Sequence, residues 1–186
     1  YYADILTRGM QKRDEKQLNE WFDNSAAMDD SDKAAADIRK WFPRSCNHHL
    51  WTDKQKFHQV IRKGCWPLSP LSVWMLYHLA SAGSHLQQRS ALALLANAFA
   101  RHKDHEIIQT AFEVMAPVHL WSAELDEEFR TSEESRSLGS IAHSYASVMA
   151  RYGEKLLPKA ILILRAVVLA VKLGLQVSNK NEACIA

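Results

Sequence analysis

The sequence is poor in the features that mark secreted, membrane-spanning and disulfide-bonded proteins. Its three cysteines, Cys46, Cys65 and Cys184, are too few and too scattered for a disulfide framework. The longest apolar run, residues 160–171, contains Arg165 and is too short to cross a bilayer. The formal net charge is only +2, so the charge of the whole chain favours neither nucleic acids nor acidic partners. Together with the lack of a signal peptide, these absences predict a protein of the reducing cytoplasm with no membrane role.

Patterns typical of β-strands are also missing, and every clear repeat of apolar residues in the sequence has the spacing of a helix. Apolar residues make up 47% of the chain and charged residues 24%, which are ordinary values for a globular protein. No segment alternates in the way of a half-buried strand, so we predict an all-α protein, an irregular bundle of about seven to nine helices. We expect N-terminal helices over residues 1–64 and a helical core over residues 65–186. We expect both parts to form one compact body. Because the chain starts at Tyr1 and stops inside a helical pattern at Ala186, we also expect that this body is cut from a larger protein.

Caps and breakers predict where the helices of the N-terminal part begin and end. The first expected helix runs through Ile5, Met10, Trp21 and Phe22 and has a solvated middle at residues 11–16. The second covers residues 31–42 and is ended by Pro43. Thr52 and Gln55 cap a third helix, which ends at Gly64.

The same signals divide the C-terminal part. The expected elements are a helix from Asp104 to Met115 closed by Pro117, an irregular helix over residues 118–129, a mobile polar loop over residues 130–137, and a helix from Ile141 to Gly153. A last helix has Pro158 in its first turn and is apolar nearly all round from Ile161 to Leu175. Such a helix is expected at the centre of the core.

The most informative segment is a pair of tightly bounded helices over residues 64–100. Ser69 can cap the first helix, and Pro70 fits its first position because a proline there loses no hydrogen bond. Gly83 offers a left-handed stop. Ser84 and Gln87 then form a capping-box pattern, so the second helix should begin almost at once.

The start of this second helix places two polar residues where an anion is favoured. Gln88 and Arg89 lie in the expected first turn, where backbone N–H groups and the helix dipole attract negative charge. A cation there opposes the dipole, which favours a specific partner for Arg89, such as a phosphate or a carboxylate.

At these residues the sequence resembles a known group of proteins. The pattern Cys65-Trp66-Pro67-Leu68-Ser69-Pro70, an apolar helix, and then Gln87-Gln88-Arg89-Ser90 before a further apolar helix is similar to the region that follows the P-loop core in large prokaryotic ATPases. These are relatives of the AAA+ and origin-recognition groups, many of them components of anti-phage defence. The resemblance implies an all-helical lid that folds over ATP and Mg²⁺ bound to the core, with Arg89 sensing the γ-phosphate and Gln88 orienting Arg89.

The sequence departs from those ATPases in one decisive respect. No GxxxxGK(S/T) phosphate loop occurs in these residues, so the resemblance implies a piece of a larger enzyme that cannot hydrolyse ATP alone. Its partners would then be the ATPase core and other subunits of one assembly, with a homo-oligomer as one form of that assembly. The helix that begins near Lys155 is similar to the one that leads toward a winged-helix module in such proteins.

Two other interpretations of the sequence remain open, and a third, a metal site, is not favoured. A helical scaffold would dock other subunits through its six tryptophans and its apolar faces, without any nucleotide contact. A nucleic-acid-binding module would use Arg39, Lys40 and Arg44, which flank Trp41 and Phe42. A metal site would draw on the residues Cys46, Asn47, His48, His49, His58 and Cys65. Their spacing matches no zinc pattern, and we predict no metal.

Overall fold

Helices make up the part of the chain that the computed structural model describes, which comprises residues 14–23, 25–43, 49–80, 88–102, 115–134 and 140–175. No β-strand occurs in these residues, and the prediction of an all-α protein is confirmed. The described residues form nine α-helices: α1 (Glu15–Phe22), α2 (Ser25–Trp41), α3 (His49–Thr52), α4 (Lys54–Lys56), α5 (Pro70–Ala80), α6 (Gln88–His102), α7 (Ala123–Glu134), α8 (Ile141–Tyr152) and α9 (Pro158–Leu173). A π-helix (Phe57–Gly64) follows α4 directly, and 3₁₀-helices occur at Pro117–Leu120 and Gly153–Lys155.

The chain divides into two compact units, and the division falls within α5. The first unit comprises residues 1–77 and 175–186, and the second comprises residues 78–174. Among the described residues, α1 to α4, the π-helix and most of α5 belong to the first unit, whereas α6 to α9 belong to the second.

The first described helix starts later than the sequence predicts. The Asp14 carboxylate accepts a hydrogen bond from the Gln17 N–H at 2.9 Å and so caps α1, which starts at Glu15. A single helix that continues through Asp14 is therefore wrong, because the capping residue itself is extended. Residues 1–13, with Ile5 and Met10, lie outside the described residues.

Helix α2 is longer than predicted and ends where it was expected to end. It begins at Ser25 rather than Ser31, and the alanines between these positions are strong helix formers. The helix stops at Trp41, because the residue before Pro43 disfavours the helical conformation.

The next helical segment is capped one residue later than predicted. Asp53 accepts a hydrogen bond from the Lys56 N–H at 2.9 Å, so it takes the capping role that the sequence assigned to Thr52. The backbone then widens into the π-helix, and this segment ends at Gly64 as predicted. The buried side chains of the π-helix are Phe57, His58, Ile61 and Arg62.

Aromatic packing holds the core of the first unit together. The Trp74 ring stacks on the Phe42 ring, with 3.7 Å between ring centroids and planes inclined by 17°. Helix α5 begins as predicted, because the Ser69 hydroxyl accepts a hydrogen bond from the Ser72 N–H at 3.0 Å. Other buried residues of this unit include Ile38, Trp51, Phe57, Ile61, Leu68, Val73 and Met75.

In the second unit, α6 packs against the 3₁₀-helix Pro117–Leu120. Leu94, Leu95 and Ala98 form its buried face. Several predicted boundary residues lie outside the described residues, namely Gly83, Ser84, Gln87 and the expected helix from Asp104 as far as residue 114.

Helix α7 covers the later part of the irregular helix predicted over residues 118–129 and extends into the predicted loop. It runs from Ala123 to Glu134, so the expectation of a mobile loop that starts at Arg130 is wrong for residues 130–134. Ser122 caps its start by accepting a hydrogen bond from the Leu125 N–H at 3.1 Å. Residues 135–139 lie outside the described residues.

The last two helices begin and end at residues of recognisable type. Helix α8 stops at Gly153, as predicted. Helix α9 starts at Pro158 and ends at Gly174, whose φ of 66° is a left-handed conformation that glycine adopts without strain. Only Val168, Leu169 and Leu173 of α9 are buried, so the prediction that this helix is central to the core is wrong.

Candidate interaction surface

Helix α9 turns two of its three charged residues inward. Arg165 and Lys172 are seven residues apart, which is about two helical turns, so they lie on the same side of the helix. Val168 and Leu169 are buried on that side. The inner face of α9 therefore carries two cations among its buried apolar residues, which is unusual for a surface helix.

The opposite side of α9 is an exposed row of apolar side chains, here named the α9 stripe, formed by Ile163, Ala166, Val167, Ala170 and Val171. Ile163, Val167 and Val171 leave 64%, 47% and 57% of their surface exposed. Lys159, at the N-terminal end of α9, is the only charged residue on this side of the helix. An exposed patch of this kind usually marks a protein interaction site.

The inner face is fixed by an ion pair between Lys172 and Glu133. The Lys172 Nζ lies 2.6 Å from Glu133 Oε1, and the two side chains are only 9% and 5% exposed. The same ammonium donates a hydrogen bond to the Phe129 carbonyl at 3.3 Å. This pair ties the end of α9 to the end of α7.

Glu133 also caps α8 from outside that helix. Its carboxylate accepts hydrogen bonds from the Ala142 N–H at 3.0 and 3.1 Å and from the His143 N–H at 3.2 Å. The His143 Nδ1 lies 3.1 Å from Glu133 Oε2. Ser140 precedes α8 but makes no side-chain capping bond, so Glu133 satisfies the backbone donors of the first turn instead.

These donors lower the pKa of Glu133. Burial alone would raise the pKa of this carboxyl, but the Ala142 N–H, the Lys172 ammonium and His143 together hold it at about 2, below the ordinary 4.5. Glu133 is therefore ionised at neutral pH. The Glu133 carboxylate therefore occupies the position at the start of α8 where a helix favours an anion.

Arg165 is held by two aromatic residues of the same unit. Its Nε donates a hydrogen bond to the Tyr145 hydroxyl at 3.1 Å, and its guanidinium carbon lies 5.8 Å from the centroid of the Trp121 ring. The Trp121 and Tyr145 rings contact each other edge to face, with 5.1 Å between centroids. Both cations on the inner face of α9 thus have specific partners.

The first unit contains a buried polar cluster around His58. His58 Nε2 donates a hydrogen bond to the Phe22 carbonyl at 2.9 Å, and His58 Nδ1 lies 2.8 Å from the Ser31 hydroxyl. Ser31 and His58 are both 1% exposed, so no substrate can reach this serine–histidine pair. Its role is to join α1, α2 and the π-helix.

The residues of the predicted nucleotide sensor lie at the start of α6 as the structure describes it. Gln88 and Arg89 are the first two residues of α6, so both belong to its first turn. Their side chains are outside the described part of the structure.

The predicted nucleic-acid residues are only partly described. Arg39 Nη1 donates a hydrogen bond to the Trp51 carbonyl at 3.0 Å, so part of this guanidinium is engaged within the first unit. Lys40 is exposed on α2, and Arg44 lies outside the described residues.

The residues considered for a metal are also partly outside the described part of the chain. Cys46, Asn47 and His48 fall in the gap before α3, whereas Cys65 is buried. His58 uses both ring nitrogens in the cluster above. Within the described ranges, no three His, Cys, Asp or Glu side chains come together as metal ligands.

Glu133, Arg165 and Lys172 are not among the site residues that the sequence predicts. The predicted pattern of α9 is apolar nearly all round, although the spacing of seven residues between Arg165 and Lys172 places both on one face. That regularity could have revealed a charged face, but it does not show which face is buried. No sequence pattern indicates the role of Glu133, because the groups that donate hydrogen bonds to it are nine or more residues away along the chain.

The fold and the surface together define an all-α protein whose last described helix has a charged inner face and an apolar outer face. Comparisons with protein families, with curated proteins and with solved structures gave no match to this chain. No helix in the described residues is both long enough and apolar enough to cross a bilayer.

Proposed function

We propose that this chain is a helical connector that docks another protein surface on the α9 stripe. The observation that carries the proposal is the orientation of α9, in which Arg165 and Lys172 face inward while Ile163, Val167 and Val171 face outward. Each buried Å² of apolar surface is worth about 25 cal/mol, so a helix that leaves such a row in water gains stability when a partner covers it. A connector uses that gain to hold two bodies together.

The assembly that this connector would serve is a large P-loop ATPase, in which the chain forms part of the lid. Support comes from the segment Cys65-Trp66-Pro67-Leu68-Ser69-Pro70, from α5 that follows it, and from the position of Arg89 in the first turn of α6. The chain has no phosphate loop of its own, so ATP and Mg²⁺ would be held by the core of the larger enzyme. Gln88 and Arg89 are the contact that this chain would add.

The test of the nucleotide role uses the full-length protein. Arg89→Ala should lower ATP turnover at least about ten-fold, because arginines that stabilise charge on a transferring phosphoryl group can be worth about 10³-fold. Arg89→Lys should restore little activity, since an ammonium lacks the planar fork of a guanidinium. Arg101→Ala, at the other end of α6, is the matched control. Equal turnover in the Arg89 and Arg101 variants would remove the nucleotide role.

Two simpler measurements bear on the same proposal. The isolated chain should neither hydrolyse ATP nor bind it tightly, because it lacks the backbone cradle that supplies most phosphate contacts. Micromolar binding in calorimetry would contradict this expectation. A full-length protein without a GxxxxGK(S/T) loop upstream of Tyr1 would overturn the ATPase assignment while leaving the connector proposal in place.

A further inference from the structure

We propose that His58 carries a proton on both ring nitrogens in the folded first unit, and that loss of either proton weakens the junction of α1, α2 and the π-helix. The attachment of α1 to its unit is then sensitive to pH. This inference concerns the first unit and goes beyond the connector function, which rests on α9.

The first argument is a count of protons in the buried cluster around His58. The Ser31 Oγ lies 2.8 Å from the Ala27 carbonyl oxygen and 2.8 Å from His58 Nδ1, and His58 Nε2 lies 2.9 Å from the Phe22 carbonyl oxygen. A carbonyl only accepts hydrogen bonds, so the Ser31 hydroxyl donates its one proton to Ala27, and Nε2 donates its proton to Phe22. The contact between Ser31 and Nδ1 still needs a donor, and Nδ1 is the atom left to supply it.

A neutral ring leaves one of these three contacts without a proton. It carries a single N–H group, either on Nε2 or on Nδ1. With the proton on Nε2, the Ser31 hydroxyl can donate to Ala27 or to Nδ1 but not to both. With the proton on Nδ1, the lone pair of Nε2 faces the Phe22 carbonyl oxygen and repels it. The doubly protonated ring satisfies all three contacts.

The second argument is the position of His58 at the end of α1. Burial by itself disfavours a cation, and His58 is only 1% exposed. Phe22 is the last residue of α1, however, and the last carbonyls of a helix carry partial negative charge and lack partners within the helix. The Phe22 carbonyl and the Ser31 oxygen thus both present negative charge to the ring, which opposes the cost of burial.

The carboxylates that adjoin Phe22 and Ser31 in the sequence do not supply this stabilisation. They are paired with cations of α4 and the π-helix, namely Asp23 with Lys63, Asp30 with Arg62 and Asp32 with Lys54. Each of these pairs sums to zero charge. The second proton on His58 therefore depends on the hydrogen bonds of the cluster.

The direction of the pH dependence follows from the proton count. The folded state keeps the second proton on His58 at a pH where the exposed histidine of the unfolded chain releases it. The state that binds more protons is favoured at lower pH. The contribution of His58 to stability is therefore present in mild acid and is lost as the pH rises.

Nitrogen NMR of the histidine rings tests the protonation state in the wild-type chain. The His58 ring can be assigned through the contacts of its protons with the Phe22 ring, because the two ring centroids are 6.0 Å apart. At about pH 7 an ordinary histidine is mostly neutral. Both nitrogens of His58 should nevertheless give the signals of protonated nitrogens at this pH. A His58 ring with only one protonated nitrogen would overturn the proposal.

Urea unfolding at several pH values tests the consequence for the fold. The reporter is the ¹⁹F signal of 6-fluorotryptophan at Trp21, a residue of α1 whose ring contacts Trp66 edge to face with 6.3 Å between centroids. The urea midpoint should fall by about half a molar between about pH 7 and about pH 9, which is the size of shift that the loss of one hydrogen bond gives.

Two variants separate His58 from other groups that titrate in this range. Ser31→Ala should remove most of the fall, because Nδ1 then has no oxygen to receive its proton. His49→Gln is the matched control, because His49 is exposed on α3 and its replacement should leave the fall unchanged. A fall as large in Ser31→Ala as in the wild type, or no fall in the wild type, overturns the proposal. The ring signals of the wild type decide the question if Ser31→Ala does not fold.

Discussion

Replacement of Glu133 by glutamine should destabilise the second unit by about 3 kcal/mol at neutral pH. A pKa of about 2 in place of 4.5 corresponds to a free energy of that order, because each pKa unit is worth about 1.4 kcal/mol. Glutamine has nearly the same size but no charge. The variant therefore leaves the Lys172 ammonium buried without its carboxylate partner, and it presents one oxygen to the donors at Ala142 and His143 instead of two.

The effect of this substitution should depend on pH in a specific direction. The folded-state pKa of Glu133 is lowered, so its stabilising contribution is fully present above pH 4.5 and is lost as the pH falls towards about 2. Wild type and Glu133→Gln should therefore differ most at neutral pH and converge in acid, where the wild-type carboxyl is protonated as well.

The second unit can be followed on its own through Trp121, the only tryptophan in residues 78–174. Incorporation of 6-fluorotryptophan gives Trp121 a separate ¹⁹F signal, and its loss with increasing urea reports the unfolding of this unit. Glu127→Gln is the matched control, because Glu127 is on the same helix but is exposed and pairs with Arg130 in its own helix. We expect that control to change the free energy of unfolding by less than about 1 kcal/mol. Equal urea midpoints for wild type and Glu133→Gln at pH 7, or a difference that persists unchanged at pH 2, would refute the reasoning.

Two further substitutions test the first unit, each measured by urea unfolding followed by far-UV circular dichroism. Trp74→Ala should cost about 3–5 kcal/mol, because Trp74 is 1% exposed and its loss leaves a cavity beside Phe42; an unchanged midpoint would place Trp74 outside the core. His58→Phe should cost about 2–4 kcal/mol although it keeps an aromatic ring, because it leaves the buried Phe22 carbonyl and Ser31 hydroxyl without this partner. A His58→Phe variant as stable as the wild type would show that the two hydrogen bonds contribute nothing.

The features that could be predicted from the sequence are those that depend on a few adjacent residues. The start of α5 at Pro70 follows from the local preferences of serine and proline. The ends at Gly64 and Gly153 also fall at the predicted residues, although neither glycine adopts the left-handed conformation of a glycine stop. The all-α class follows from the period of the apolar residues along the whole chain.

The features that could not be predicted depend on partners distant in sequence. Residues 130–134 are polar and look like a loop, but they remain helical in a fold where Glu133 accepts hydrogen bonds from the start of α8. Helix α9 is apolar on both sides, so its sequence alone does not show which side is inward. Only the positions of Tyr145 and Glu133 explain why Arg165 and Lys172 take the inner side.

The ion pair between Lys172 and Glu133 also limits how α9 can move. Apolar contacts have no preferred direction, so a helix held by them alone can roll about its long axis at little cost. The charge-assisted hydrogen bonds of Lys172 and the Tyr145 bond of Arg165 act at two positions along α9 and have fixed directions, so they resist such a roll. A force applied to the outer side of α9 should therefore displace α7, α8 and α9 together as one rigid lever.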